Sequence, residues 1–257
     1  MKIFDTHCYT GLISTKKVDR VLALSYAKIA GVEKILNITN SLGDFEEVYN
    51  DLKLQKNLYF ALGISPVEIN NPSLSWKEKL ENYSKLESVI AIGETGLDYQ
   101  KGCADKDLQK EFFLYHIKLA EKTNKPLIVH NRNAGEDIVR ILSDNAKNNT
   151  IIFHCYTDKI SNTEKALELN SYFSFSGNVT YQKSKDTVNC VKFIPLDRIL
   201  VESGTPFMTP FAQKGERNKI QNITENIKAI SRIKGETFEN TANIIWENSL
   251  RAFGISE

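Results

Sequence analysis

The chain has 257 residues, of which 41% are hydrophobic and 25% are charged, and its formal net charge is +1. This composition is typical of a globular protein, and the length fits either one α/β barrel of about 250 residues or two small domains. The balance of 33 basic against 32 acidic residues excludes a strong overall attraction to nucleic acid or acidic membranes, so that a polyanion would have to be held by a local patch.

The cysteines and the start of the chain indicate the compartment. Cys8, Cys103, Cys155 and Cys190 form no CxxC pair and are typical of free thiols in a reducing environment. Met1 runs directly into a predicted strand, and no apolar run of about 18 residues occurs. We therefore expect a cytoplasmic protein with no membrane association and no obligate protein partner.

Short apolar runs alternate with longer amphipathic segments along the whole chain. Eight apolar runs are predicted strands, at 2–7, 34–39, 59–64, 89–94, 126–131, 150–155, 172–177 and 199–203. Segments with helical periodicity lie between them and after the last strand, among them 18–30, 107–122, 134–147, 223–235 and 237–254.

This alternation predicts the fold class. Near-continuous apolar strands separated by helices are typical of a parallel sheet that is covered on both faces. Eight such units in this length favour a closed (β/α)8 TIM barrel over an open sheet, and no glycine-rich dinucleotide loop follows any strand. Without a linker or repeat, residues 1–257 are predicted to form a single domain.

Two polar residues stand at the end of the first predicted strand. Asp5 and His7 are two positions apart, so on an extended strand their side chains should emerge on the same face. The next position on that face is Tyr9. The strand therefore predicts part of a metal site in which Tyr9 stands at a position suited to a histidine ligand.

Metal-binding side chains also end later strands. Glu94, His130 and His154 end strands four, five and six, and Glu202 closes strand eight. The carboxyl ends of barrel strands converge on one mouth, and imidazole and carboxylate groups are ligands of borderline divalent ions. A hydrolytic metal centre is predicted there, whereas His116, inside a predicted helix, is expected to be structural.

Five segments carry a resemblance to a known family. The stretches FDTHCYT, AIGETGLDY, PLIVHNR, IIFHCYTD and ILVESGTPFMTP resemble successive signature segments of the TatD family of metal-dependent deoxyribonucleases. The resemblance extends from residue 3 to TANIIWENSLRAFG near the end of the chain. It implies a TIM-type barrel that binds divalent metals at the strand ends and cleaves DNA phosphodiester bonds with metal-activated water, often as an exonuclease.

The resemblance assigns the metal ligands residue by residue. The family opens with D-x-H-x-H, in which Asp5 and His7 match and Tyr9 replaces the second histidine. The glutamate that bridges two metals in the family falls on Glu94. Two further histidine ligands fall on His130 and His154, and both are present.

Other family positions are replaced. The E-T-D motif of strand eight reads Glu202-Ser203-Gly204, so an aspartate is missing. The G-x-H-P motif after strand three has Ser65 in place of histidine. The R-G-K-x-N loop reads Lys214-Gly215-Glu216-Arg217-Asn218, which reverses one charge.

These replacements imply one intact metal position and one depleted position. We expect one tight divalent ion, Zn, Mg or Mn, to be held by Glu94, His130 and His154. Of the ligands of the family's other metal position, only His7 and Glu94 remain. Tyr9 is interpreted as a relic of the abandoned position. Besides Glu94, the candidates for catalysis are Glu202 and Asp5, which could substitute for the missing base, and weak activity is expected.

Basic residues predict how a phosphodiester substrate such as DNA would be held. Arg132 matches the family's H-x-R and could bind a phosphate through a bidentate fork, although an ion pair at the barrel rim is equally compatible with its position. Lys214, Arg217 and Asn218 are further candidates for substrate binding.

Two other functions stay open. The first is a catalytically silent TatD-like protein that binds a ligand or partner at the barrel mouth, and it is favoured by the concentration of replacements at Tyr9, Ser65 and Gly204. The second is an amidohydrolase-type enzyme for a lactone or amide. Such enzymes often use a carbamylated lysine as the bridging ligand, and Glu94 takes that place here.

Overall fold

The strands form one parallel sheet whose spatial order equals the chain order. The computed structural model describes residues 1–70 and 73–256. Its eight strands are β1 Ile3–Cys8, β2 Val32–Asn37, β3 Leu58–Leu62, β4 Val89–Asp98, β5 Leu127–Arg132, β6 Ile151–Phe153, β7 Ser171–Phe175 and β8 Ile199–Val201. Each strand pairs in parallel with the next.

The first and last strands meet at a seam. The Thr6 hydroxyl donates to the Val201 carbonyl at 2.9 Å, and the Gly204 N–H donates to the His7 carbonyl at 3.0 Å. The Tyr9 N–H donates to the Thr205 carbonyl at 2.9 Å. These bonds bring β8 and the loop after it against β1, so the sheet curls into a nearly closed barrel and the predicted fold class is confirmed.

Helices connect the strands and cover the barrel. They are α1 Thr10–Ile13, α2 Lys17–Ile29, α3 Leu42–Leu52, α4 Trp76–Tyr83, α5 Lys106–Thr123, α6 Gly135–Asn145, α7 Ile160–Leu167, α8 Lys185–Phe193, α9 Ile223–Lys234 and α10 Phe238–Phe253. Helix α5 begins where the Asp105 carboxylate accepts the N–H groups of Asp107 and Leu108, which satisfies donors at the helix start. In the described part of the chain, no helix is both long and apolar enough to cross a membrane.

One buried side chain from every strand contributes to a common inner layer. Its strand members are Phe4, Leu36, Ala61, Ala91, Ile128, Ile152, Tyr172 and Leu200, and Trp246, Leu250 and Phe253 of α10 pack against them. Side chains two positions further along a strand lie on the same face. His130, His154 and Glu202 each follow a member of this layer by two positions, namely Ile128, Ile152 and Leu200. The inner layer therefore places these three groups at the mouth.

Candidate metal centre

The three side chains expected to bind one ion do meet at the barrel mouth. His130 Nδ1 lies 2.9 Å from Glu94 Oε1, and His154 Nε2 lies 3.6 Å from the same oxygen. The two imidazoles approach to 3.1 Å between His130 Nδ1 and His154 Nε2. One ligand atom from each residue lies within 4.8 Å of the other two, which is close enough for a shared ion.

His7 lies against this cluster without a hydrogen bond. Its ring stacks on His154 with centroids 4.1 Å apart and an interplanar angle of 6°. Its Nε2 is 3.3 Å from Glu94 Oε2, but within the described residues neither ring nitrogen has a hydrogen-bond partner, and the residue is only 1% exposed. Buried polar groups normally have partners. The orphaned nitrogens therefore fit a site built for a cation.

Glu202 supplies a second carboxylate on the other side of His154. Its Oε1 lies 3.7 Å from His154 Nδ1, and its Oε2 accepts the Cys155 N–H at 3.1 Å. Together with His7 and His154 it forms a second group with ligand atoms within 4.8 Å of one another. The sequence analysis predicted Glu202 only as a catalytic residue. The structure adds that Glu202 lies close to the imidazoles of His7 and His154.

The electrostatics of the cluster favour positive charge. Burial raises the pKa of Glu94, but the charge of His154 and the close imidazoles of His130, His154 and His7 outweigh burial and hold that pKa well below its usual range. Burial lowers the pKa of His154, yet the Glu94 charge and the contact with Glu202 raise it to about 10. The carboxylates thus create a field that retains a proton, and the same field attracts a metal cation.

Tyr9 donates a hydrogen bond to the cluster. Its hydroxyl lies 2.6 Å from Glu94 Oε2. Burial and the nearby Glu94 charge raise the pKa of Tyr9 well above 10, so the phenol keeps its proton. The Ser65 hydroxyl donates to Glu94 Oε1 at 3.1 Å. Tyr9 therefore contacts the carboxylate of the intact metal position, while its interpretation as a relic of the abandoned one stays a prediction.

Asp5 lies apart from the cavity at the seam of the barrel. Its Oδ1 accepts the Ser203 N–H at 2.8 Å and the His7 N–H at 3.3 Å, and the residue is fully buried. The pairing of β1 with β2 shifts register between Asp5 and Cys8, and such irregularities re-aim side chains. Asp5 does not line the cavity, and its bonds fit a structural role at the seam, while its role as a base stays a prediction.

Asp98 is a site residue that the sequence reasoning missed. Its Oδ2 lies 3.1 Å from His130 Nε2, the typical partner of a metal-binding imidazole. Strand β4 was predicted to end at Glu94 but continues to Asp98. On an extended strand, residues 94 and 98 share a face, so the GLDY stretch contained the necessary signal.

A cavity of about 350 Å³ adjoins the cluster, and its lining includes Arg132, Phe207, Met208 and Glu202. Arg132 is exposed, and no carboxylate in the described residues forms a salt bridge with it. An ion pair at the barrel rim, the alternative role for Arg132, therefore lacks a carboxylate partner among the described residues. The guanidinium is placed where it could bind an anion.

The other predicted substrate contacts lie elsewhere. The Asn218 amide is 4% exposed and donates to the Ser203 carbonyl at 2.8 Å, and its oxygen accepts the Lys219 N–H at 2.9 Å. Arg217 donates to the Leu12 carbonyl, and Lys214 is exposed. None of the three lines the cavity. For Asn218, these bonds argue for a role within the loop instead of the predicted contact with substrate.

A larger cavity of about 640 Å³ lies beside the first and shares Asn131 and Thr157 with it. Its lining contains one basic residue, Lys159, and four carboxylates, those of Glu136, Asp137, Asp158 and Asp186. An acidic lining repels phosphates. The smaller cavity, whose lining includes His130, His154 and Arg132, is therefore the better candidate for an anionic substrate.

Comparisons with known proteins identify the family and the fold. Residues 4–254 match the family model described as TatD related DNase. The uncharacterized metal-dependent hydrolase YabD of Bacillus subtilis is 35% identical, with 99% of this chain and 100% of YabD covered. The corresponding hydrolase YcfH of Escherichia coli is 31% identical, with 99% and 97% covered. The crystal structure of the TatD homolog YjjV of Escherichia coli superposes with a TM-score of 0.90 at 23% identity, over 99% of this chain and 98% of YjjV.

Proposed function

Since the chain belongs to the family of TatD-related DNases, we propose that this metal-dependent hydrolase cleaves phosphodiester bonds of DNA at the barrel mouth. The observation that carries the proposal is the meeting of Glu94, His130 and His154 beside a cavity that also holds the unpaired Arg132. An ion site next to a free guanidinium is suited to a substrate that carries phosphate.

The residues that hold the ion follow from the geometry. Glu94 Oε1, His130 and His154 would supply three protein ligands, the typical number for a catalytic centre. We expect one tightly held ion. When bound, such an ion polarises a phosphoryl oxygen and lowers the pKa of water to about 7. Asp98 holds the His130 ring in place from the far side.

Glu202 is the candidate for accepting a proton. It lines the cavity. Burial raises its pKa, but the neighbouring imidazoles of His7 and His154 outweigh burial and hold that pKa below its usual value, so the carboxylate stays ionised. General-base catalysis typically contributes about 10²–10⁴-fold. In this proposal, Glu202 replaces the strand-eight aspartate that the chain lacks.

Arg132 would bind the phosphate. We expect Arg132→Ala to lower kcat/KM on DNA by about 10–100-fold, because a hydrogen bond to a charged group contributes about 1.5–3 kcal/mol. Arg132→Lys should recover only part of the loss, since lysine keeps the charge but not the planar fork. Steady-state kinetics measure both. Arg140→Ala, which removes an exposed arginine bonded to Asp137, is the control and should leave kcat/KM unchanged.

The proposal is tested by incubating the purified protein with single-stranded and duplex DNA in Mg²⁺, Mn²⁺ or Zn²⁺. Cleavage that requires the ion and is lost in His130→Ala supports it. Cleavage that persists unchanged in His130→Ala would indicate a contaminating nuclease. Absence of cleavage with every ion, in a protein that binds the ion tightly, would contradict the nuclease function and favour a silent protein that binds a ligand at the mouth.

A further inference from the structure

Two hydroxyl groups from distant parts of the sequence converge on Glu94. The Tyr9 hydroxyl, just after β1, donates to Oε2 at 2.6 Å. The Ser65 hydroxyl, three residues after β3, donates to Oε1 at 3.1 Å. Each oxygen of the carboxylate therefore accepts one hydroxyl. Both donors are buried or half-buried, so their bonds are protected from competing water.

The two oxygens of Glu94 face different surroundings. Oε1 faces His130 Nδ1 at 2.9 Å and His154 Nε2 at 3.6 Å, which is the three-ligand cluster. Oε2 faces the Tyr9 hydroxyl and, at 3.3 Å, His7 Nε2. The phenol thus occupies the side of the carboxylate that a second ion near His7 would have to approach.

The backbone after β8 disfavours a side chain at position 204. Gly204 has a φ of 63°, a left-handed conformation that disfavours side chains. A Cβ built there would lie 2.8 Å from Ser176 Oγ and 3.0 Å from Met208 Cγ. A carboxylate side chain at position 204 would therefore be strained as well as crowded.

We propose that the hydroxyls of Tyr9 and Ser65 take the place of a second metal ion at Glu94 and orient its carboxylate, so that the centre binds a single divalent ion through Glu94, His130 and His154. The inference rests on the metal centre of the proposed function, not on the identity of the substrate. Tyr9 and Ser65 are positioning residues in this arrangement. They act on the ion through Glu94.

The test is metal stoichiometry and affinity, measured by elemental analysis and by chelator competition with Zn²⁺, together with the absorption spectrum of the Co²⁺ form. The wild type should bind one ion per chain. Tyr9→Phe should still bind one, with affinity reduced by about 10–100-fold, the typical cost of removing a group that orients a metal ligand. The Co²⁺ spectrum should shift, because the carboxylate changes its orientation.

Tyr99→Phe is the matched control. It removes a tyrosine hydroxyl that donates to a carboxylate at the same distance, 2.6 Å, but the acceptor is Asp137, outside the cluster. Its metal affinity and Co²⁺ spectrum should equal those of the wild type. Ser65→Ala removes the other hydroxyl on Glu94 and supplies an independent measurement should Tyr9→Phe fail to fold.

Three results would overturn the inference. The first is the binding of two tight ions by the wild type. If Glu202→Gln then lost one ion, the second ion would belong to the group formed by His7, His154 and Glu202. The second is an unchanged affinity and spectrum in the folded Tyr9→Phe and Ser65→Ala variants. No metal binding at all would overturn this inference and the metal centre together. One tight ion without DNA cleavage would overturn only the nuclease function.

Discussion

Glu94→Gln is expected to abolish tight divalent-ion binding and to lower DNA cleavage by at least about a thousandfold, since metal-ion catalysis contributes several kcal/mol and each 1.36 kcal/mol is a factor of ten. Glu94 is the residue on which the whole cluster converges. It faces His130 at 2.9 Å and His154 at 3.6 Å. Glutamine keeps the shape but removes the negative charge that a cation requires.

Ion content by elemental analysis and cleavage of a labelled oligonucleotide measure these effects. The control is Glu46→Gln, because Glu46 also accepts a tyrosine hydroxyl, that of Tyr83 at 2.8 Å, and a lysine, Lys79, but belongs to α3 on the outside of the barrel. Its ion content and activity should match the wild type. Full activity in a folded Glu94→Gln protein would refute the proposed centre.

A fall in pH from about 6.5 to about 4 is expected to destabilise the fold by about 3 kcal/mol through His116 alone. His116 is fully buried in α5. Its Nε2 accepts the Ile64 N–H at 3.1 Å, and its Nδ1 lies 2.7 Å from the Phe112 carbonyl. Burial lowers its pKa from 6.5 to about 4. A protonated Nε2 could no longer accept from Ile64.

The sign of the effect follows from proton binding. Between pH 6.5 and about 4 the unfolded chain binds a proton at His116 that the folded chain does not, so the free energy of unfolding falls as the pH falls. The contribution is fully present above pH 6.5. Denaturant unfolding at a series of pH values measures the slope for the wild type and for His116→Gln, which cannot titrate. Equal slopes in this window would contradict the prediction, since other groups titrate alike in both proteins.

Local patterns in the sequence predicted the fold. Apolar runs identified the eight strands because a strand buried on both faces must be apolar throughout. They placed His130, His154 and Glu202 at strand ends, where barrel geometry brings them together. Placement of the ends was less accurate: β6 and β8 stop at Phe153 and Val201, and β4 continues to Asp98.

The partners within the site could not be predicted in the same way. The bond between Tyr9 and Glu94 joins residues 85 positions apart, and a residue pattern does not specify which side chains meet across a barrel. The register shift between Asp5 and Cys8 is likewise not visible in the residue pattern. Such shifts arise from the closure of the sheet, which local propensity does not encode.

The sequence by itself determined the order of strands and helices, the family, and the three candidate ligands of one metal position, because each depends on residue type and spacing along the chain. Only the tertiary structure decided that Asp5 accepts hydrogen bonds at the seam, that Asp98 contacts His130, and that two hydroxyls donate to Glu94. These depend on distances of about 3 Å between groups far apart in sequence, where hydrogen bonding requires close and directed contact.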